Sequence, residues 1–591
     1  MKYFKEERGY ALFLTVLIIG LFSILAVSLI TVVLSGANKT AIREDITQAL
    51  ELSEKGTKHL TKQINYELQT ELDKHVDGLS RTEFINELDK VIEKYKCTNN
   101  NVTGGKTGQY QACVENYIDK EKDILPKKAE IKSIGTVDGQ QKKFITTVEF
   151  GGNLVPDDMQ FAVNTFVTKE CAQLKKNCVP GEGNLFLHGG VGIQGDMNVE
   201  RHLITSNRSH EKYAFHHWIH SYFPSAKTKP DGSPSKIIVG GNIYTLQWDG
   251  VKGTLIKNFD YSDHISRIDI PDKSPYEKKD KIDENVFVGR YIAEHSERTD
   301  HPGRHDLDIT GEKEKYEYGP DDPDVKVIET NLFGTGGVDR VIYNEKFPND
   351  KVFPKWYKNY KGKFRIRGNS TFKRFATYGD LILGNVRRNN VIEFKEGAYV
   401  EGDLTIGNNT EVKGPIYVNG DLEIKGRNVT INSVIYVNGM VHIKHAEFDE
   451  SIDPAIKGAF IIYANKKIVV ERINRFNDYP AEIKGFFYSK ESIEMDGNES
   501  NIILKGGISA PRIVLNSIRG RSYAAAKFKQ SNPQIVEGRA YEGWQEQAVR
   551  ESRLLIKYDQ DIFDLYSDLI LENRVKQVPP AKIIEIEEVA D

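Results

Sequence analysis

A short unit recurs along this chain, and its size restricts the fold more than any other feature. Gly195-Asp196-Met197-Asn198-Val199, Gly241-Asn242-Ile243-Tyr244, Gly379-Asp380-Leu381-Ile382-Leu383, Gly402-Asp403-Leu404-Thr405-Ile406, Gly420-Asp421-Leu422-Glu423-Ile424 and Gly439-Met440-Val441-His442-Ile443 each read as a tight turn and a short alternating strand. Tyr399-Val400, Ile416-Tyr417-Val418-Asn419 and Ile435-Tyr436-Val437-Asn438 are matching strands between them. A unit of about 20 residues cannot bury its own apolar face, whereas stacked copies can. The pattern therefore predicts a parallel β-solenoid with Leu404 and Ile406 inward and Asp403 and Thr405 outward. Weaker copies continue through Ile468-Val469-Val470, Ser492-Ile493-Glu494-Met495 and Arg512-Ile513-Val514-Leu515, with Pro511 at a corner. Asp380, Asp403 and Asp421 hold the same turn position in successive copies, which assigns them to satisfying local backbone amides. A catalytic carboxylate pair would be unique to one copy.

The other strong signal is apolar. After MKYFKEER, the stretch GYALFLTVLIIGLFSILAVSLITVVLSGA has no ionisable side chain except Tyr10 until Lys39. As a helix, Tyr10 to Leu34 rises about 37 Å, enough to cross a hydrocarbon core of about 30 Å. A secretory signal core of about 7–15 residues is shorter than this run. Lys2, Lys5 and Arg8 before it, against Lys39 and Arg43 after it, favour a cytoplasmic N-terminus. The expectation is a single-pass membrane protein with its body outside the cell.

Ile42, Ile46, Leu50, Leu60, Ile64, Leu68 and Leu72 continue the helix out of the bilayer to about Asp77 as one apolar face. Ser80 and Glu83 form a capping box for a second helix striped by Phe84, Leu88, Val91 and Tyr95, ending near Cys97. Val137-Asp138-Gly139 joins two strands, Ile131 to Thr136 and Phe144 to Phe150. The fold class is thus mixed: a long membrane helix with a small α+β region over 37–180, then a mainly β solenoid.

Four cysteines, Cys97, Cys113, Cys171 and Cys178, follow the span without a CxxC pair. An even number in an exported body fits disulfides better than zinc, and of the three pairings proximity selects Cys97–Cys113 with Cys171–Cys178. With 591 residues and a net charge of -4, no overall basic field points to nucleic acid. No cofactor motif is present: GxSxG, Walker loop, kinase set and dinucleotide fingerprint are all missing. His216-His217-Trp218-Ile219-His220 lacks the glutamate and third ligand of a zinc site and reads as an aromatic-histidine loop. His295, His301, His305, Asp306 and Asp308, and the calcium-like Asp321, Asp322 and Asp324, read as solvated polar loops.

Two segments resemble known families. Glu7-Arg8-Gly9-Tyr10-Ala11-Leu12 with the apolar helix behind it, and Ala49-Leu50-Glu51-Leu52-Ser53-Glu54-Lys55-Gly56, resemble the PilX-type N-terminal segment of minor pilins and their Gram-positive relatives. The resemblance covers about the first 60 residues. It implies prepilin-peptidase cleavage after Gly9, a mature N-terminus at Tyr10 and pilin-like subunits as partners. Leu14 stands where major pilins carry a glutamate that meets the neighbouring subunit. The stretch 360–520 is similar to bactofilin-like, polymer-forming β-solenoids.

The domain reading is a cytoplasmic leader 1–9, a transmembrane helix 10–36, a pilin-like region 37–180 and first solenoid rungs 181–245. A projecting insertion 246–360 follows, marked by Pro271, Pro275, Pro302, Pro320, Pro323, Pro348 and Pro354. The solenoid then resumes over 361–523, and a partly helical capping segment and tail close the chain over 524–591. Trp218, Trp356, Tyr357, Lys361 and Arg365 are candidate contacts for wall or surface glycans, aromatic faces beside cations. The expected role is structural display, assembly or adhesion; the alternative is an anchored carbohydrate-active β-helix enzyme working in a groove beneath 246–360.

Overall fold

The computed structural model describes residues 7–75, 79, 81–98, 101–104, 108–119, 125–152, 159–174, 178–210, 218–248, 260–267, 270, 275–295, 309–317, 326–327, 340–342, 346–347, 351–353, 363–384, 389–426, 428–444, 456–473, 480–498, 500–519, 552–566, 575, 578–579 and 581–588. The chain divides into two compact units, 1–154 with 573–591, and 155–572.

In the first unit, helix α1 runs unbroken over Glu7–Leu72. From Leu12 to Glu44 every side chain is exposed. Along this part lies the one stretch, among the described residues, long and apolar enough to cross a membrane. Farther along, Leu60, Ile64, Leu68 and Leu72 are buried as their spacing requires. Ile42, Ile46 and Leu50 do not share that burial. Small residues take over instead: Ala49, Ser53 and Gly56 are buried, and Ser53 Oγ donates to the Ser133 carbonyl at 2.8 Å. The backbone of Gly135 comes so close that a Cβ there would lie 1.9 Å from the Ala49 carbonyl oxygen.

The sheet beneath α1 is antiparallel, with strands Val102–Gly104, Gln109–Tyr117, Lys127–Val137, Gln140–Phe150 and Lys582–Glu588 in that spatial order. The Asp138-Gly139 turn has positive φ at both residues, 41° and 84°, which a two-residue hairpin of the favoured twist demands. A second helix, α2, spans Arg81–Lys94 with Phe84, Leu88 and Val91 buried. The expected polar tail thus contains the sheet's fifth strand.

The second unit is mostly parallel β-structure. The predicted copies pair in register: Asp380–Leu383, Leu404–Ile406, Leu422–Lys425 and Val441–Lys444 are successive neighbours, with Leu381, Leu404, Leu422 and Val441 aligned. Those four side chains are almost wholly buried. Tyr399, Tyr417 and Tyr436 align in a second ladder, continued by Tyr463 and Tyr488. These tyrosines point away from the main core into a second one, covered by Tyr316, Met159, Ile562 and Phe563. Pro511 sits at the corner between Ile502–Ala510 and Arg512–Ser517.

The order of the ladders differs from chain order. Leu185–Gly189 pairs with Arg512–Ser517 on one side and Leu203–Ser206 on the other. Leu554–Lys557, expected as a helical part of the terminal cap, is a strand between Ile502–Lys505 and Gly192–Gln194. Leu554 and Ile556 enter the main core while Leu555, also buried, and the half-buried Lys557 take the other face, in a run too short to fix its own structure. Val163–Thr165, expected in the pilin-like region, lies between Ile508–Ala510 and Met197–Val199. The earliest strands of this unit therefore stack on its latest ones. Residues 246–360, expected to project as an insertion, contribute ladder strands at both ends: Tyr291–His295 beside Ser235–Val239, and Arg340–Ile342 beside Lys363–Ile366.

Candidate functional site

Leu185–Gly189 carries two rings, Phe186 and His188, beside Leu203–Ser206. Phe186 and Ile204 lie here with Tyr244, Leu246, Ile265, Tyr276 and Val514 in a small apolar cluster, against which Trp218, Trp248 and Tyr261 pack. The short helix Tyr261–Ile265 is capped by Asp260, whose carboxylate accepts from the Ser262 amide at 2.6 Å. That helix brings His264 to His188 with their Nε2 atoms 2.8 Å apart, and both rings are fully buried. His264 Nδ1 meets the Tyr276 hydroxyl, and His188 Nδ1 lies 3.5 Å from that of Tyr261. One N–H per ring satisfies the row. If Tyr276 donates to His264 Nδ1, His264 Nε2–H donates to His188, whose Nδ1–H faces Tyr261. Burial drives the His264 pKa down to about 3, so the ring is neutral at ordinary pH.

Trp218 stands in the middle of this group. It is edge-on to His188 at 5.1 Å, His210 at 5.2 Å, Trp248 at 5.0 Å and Tyr261 at 5.7 Å. His210 stacks on Tyr261 at 3.9 Å, and Arg208 lies over the Trp248 ring at 4.9 Å. The hairpin Arg208–His210 with Trp218–His220 is held by Asn516, whose Oδ1 accepts from the His210 amide at 2.8 Å. Trp218 thus fastens a helix and a hairpin to the ladder while remaining half-buried.

Arg365, the other expected contact among the described residues, does not join it. Arg365 lies in Lys363–Ile366, whose neighbours are Arg340–Ile342 and Asp380–Leu383. Eight ladder steps separate that strand from Leu185–Gly189, about 38 Å at ordinary strand spacing. One small ligand cannot touch both. Trp356, Tyr357 and Lys361 lie outside the described residues, as do His216, His217, His301, His305, Asp306, Asp308, Asp321, Asp322 and Asp324. Gly9 and Tyr10 lie in the first turns of α1.

Both local cysteine pairs are disulfides, Cys97–Cys113 and Cys171–Cys178. Among the described residues the one cluster with metal-like spacing is Cys171, Cys178 and Glu182, and its sulfurs are tied to each other. The Glu182 carboxylate accepts from the amides of Thr168 and Val179, closing the loop around that disulfide.

The repeated aspartates do a related job. Asp380 Oδ1 accepts from the Asp403 amide at 3.1 Å, Asp403 from Asp421 at 2.9 Å, and Asp421 from Met440 at 2.8 Å. Each carboxylate therefore serves the next copy rather than its own turn. Asn419, Asn438 and Asn465 form a parallel row, amide to amide, at 3.0 and 2.7 Å. Sequence reading missed His188, His210, Tyr261, His264 and Tyr276. They are scattered along the chain, and only the folded ladder assembles them.

No protein-family model, curated protein or solved structure matches this chain.

Proposed function

We propose that this chain is a membrane-anchored, pilin-like structural protein that displays a parallel β-solenoid outside the cell, for assembly or adhesion. The observation that carries the reading is α1. It is one uninterrupted helix whose first part, Leu12 to Glu44, is wholly exposed and whose later part is buried under an antiparallel sheet. The apolar run within that part, Leu12 to Leu34, is costly in water and stable in lipid. Two disulfides suit an oxidising exterior. The in-register repeats and the use of Asp380, Asp403 and Asp421 as amide acceptors support a role in which the body is a rigid scaffold. Glycan or polymer contacts, in this reading, come from the partly exposed rings of Trp218, Trp248 and Tyr261, and affinity is the sum of weak stacks of about 1 kcal/mol each.

The test is made on membranes of the native host. N-terminal sequencing should find Tyr10 as the first residue, and protease added outside wall-stripped cells should digest the body beyond Ala37. An intact Met1 terminus in peptidase-positive cells would remove the pilin-like processing. Release of reducing ends from wall polysaccharide, abolished by a single carboxylate substitution, would replace scaffold with enzyme.

A further inference from the structure

Lys582–Glu588 is the edge strand of the first unit's sheet. Its inner edge pairs with Gln140–Phe150, and among the described strands none pairs with its outer edge. All seven residues are exposed, with Ile583, Ile584 and Ile586 at 37, 45 and 52%. A register shift places Ile583 opposite Val148 and Ile586 opposite Thr146. Val148 and Thr146 belong to the buried alternate set of their strand, so both isoleucines extend the face that α1 covers. An edge with open N–H and C=O groups beside exposed isoleucines is a template for another strand.

Charge decides which strand. Lys582–Glu588 holds one lysine and three glutamates; a second copy laid symmetrically against it would match Lys582 with Glu588 at each end but set Glu585 against Glu585 and leave Glu585 and Glu587 of both strands without a cation, which a more basic segment avoids. The strand already on the inner edge shows what this sequence accepts. Lys142 pairs with Glu588, Phe144 and Ile145 lie opposite Glu588 and Glu587, and the β-branched Thr146 and Val148 face the isoleucines. The side chains of an edge strand stand above and below the sheet, so they present the same row to both edges.

We propose that the outer edge of Lys582–Glu588 receives, in antiparallel register, an extended segment of a partner protein that is basic at one end and β-branched along its length. Main-chain hydrogen bonds supply affinity and the lysine–glutamate matches supply register and choice. This surface does not depend on how the leader is processed.

The test uses the full chain in detergent micelles and two labelled peptides followed by fluorescence anisotropy. One has the sequence of residues 140–150; the other replaces its two lysines with glutamate. The first should bind at least tenfold more tightly, Ile586→Lys should weaken it, and the Glu587→Lys, Glu588→Lys double variant should prefer the acidic peptide. Equal binding of both peptides to both proteins, or no saturable binding, overturns the proposal. So does concentration-dependent dimerisation abolished by Ile586→Lys, which would give the edge to a second copy.

Discussion

Within the parallel unit, the stretch from Asp380 to Lys444 and the junction around Leu185 are both in-register parallel ladders but are built from different information. In the first, each strand's neighbours lie one copy away, and hydrogen bonds such as Asp421 to Asp403 join residues 18 apart. At the junction, Asn164 Nδ2 donates to Ser509 Oγ across a sequence separation of 345, and Tyr558 donates to the Met159 carbonyl across 399. Local closure costs little chain entropy; joining such distant segments costs more and is deferred. The same inward ladder therefore has a part that can form early and a part that waits for the rest of the chain.

The largest expected effect tests that contrast with one chemical insult at two places. Leu422→Asp buries a carboxylate between Leu404 and Val441 and should cost about 3–5 kcal/mol, lowering the melting temperature of the whole unit. Ile556→Asp is as deeply buried, between Leu504 and Ile193, yet its strand can detach. Hydrogen exchange in that variant should rise at Ile502–Lys505 and Gly192–Gln194 while Leu404–Ile406 stays protected. Equal loss of protection everywhere would make the junction as integral as the repeats.

Acid should act on the junction side first. The folded His264 has a pKa of about 3 against an ordinary 6.5, so between those values the unfolded chain takes up a proton that the folded one refuses. Stability is thus full above pH 6.5 and falls as the pH drops toward 3, by up to about 1.4 kcal/mol per unit. His264→Phe should flatten this part of the stability profile measured by chemical denaturation at each pH.

The disulfides give a smaller, graded effect. Replacing both cysteines of Cys97–Cys113, which closes a separation of 16, should cost about 3 kcal/mol by loop entropy; the Cys171–Cys178 pair, with a separation of 7, about 2. Equal midpoints for the two variants and the parent would place their effect elsewhere. Asp421→Asn should be nearly silent because it keeps the oxygen that receives the Met440 amide, whereas Asp421→Ala should cost about 1 kcal/mol in the same melts.

What could be read in advance divides along the same line. The inward row of Leu404, Leu422 and Val441 was legible because its period is local and its turns are marked by Gly-Asp. The long helix was legible from an apolar run, and its later contacts less so, since Ala49, Ser53 and Gly56 pack by being small rather than apolar. The strand at Leu554–Lys557 and the ring group of His188, Trp218 and His264 were not legible. Nothing in either segment's own composition states which distant strand lies beside it. Two of the expected glycan contacts, Trp218 and Arg365, do not converge for the same reason, because they are set apart by the number of strands between them.

The junction is also where the account is most exposed. Gln194 and Lys557 are register partners in neighbouring parallel strands, about 5 Å apart, within reach of a disulfide. The full chain carrying Gln194→Cys and Lys557→Cys, oxidised in dilute solution, cleaved between the two positions and then denatured, should keep its fragments joined until reductant is added. Fragments that separate without reductant, or links found only between different chains, would contradict the stacking of the earliest strands on the latest.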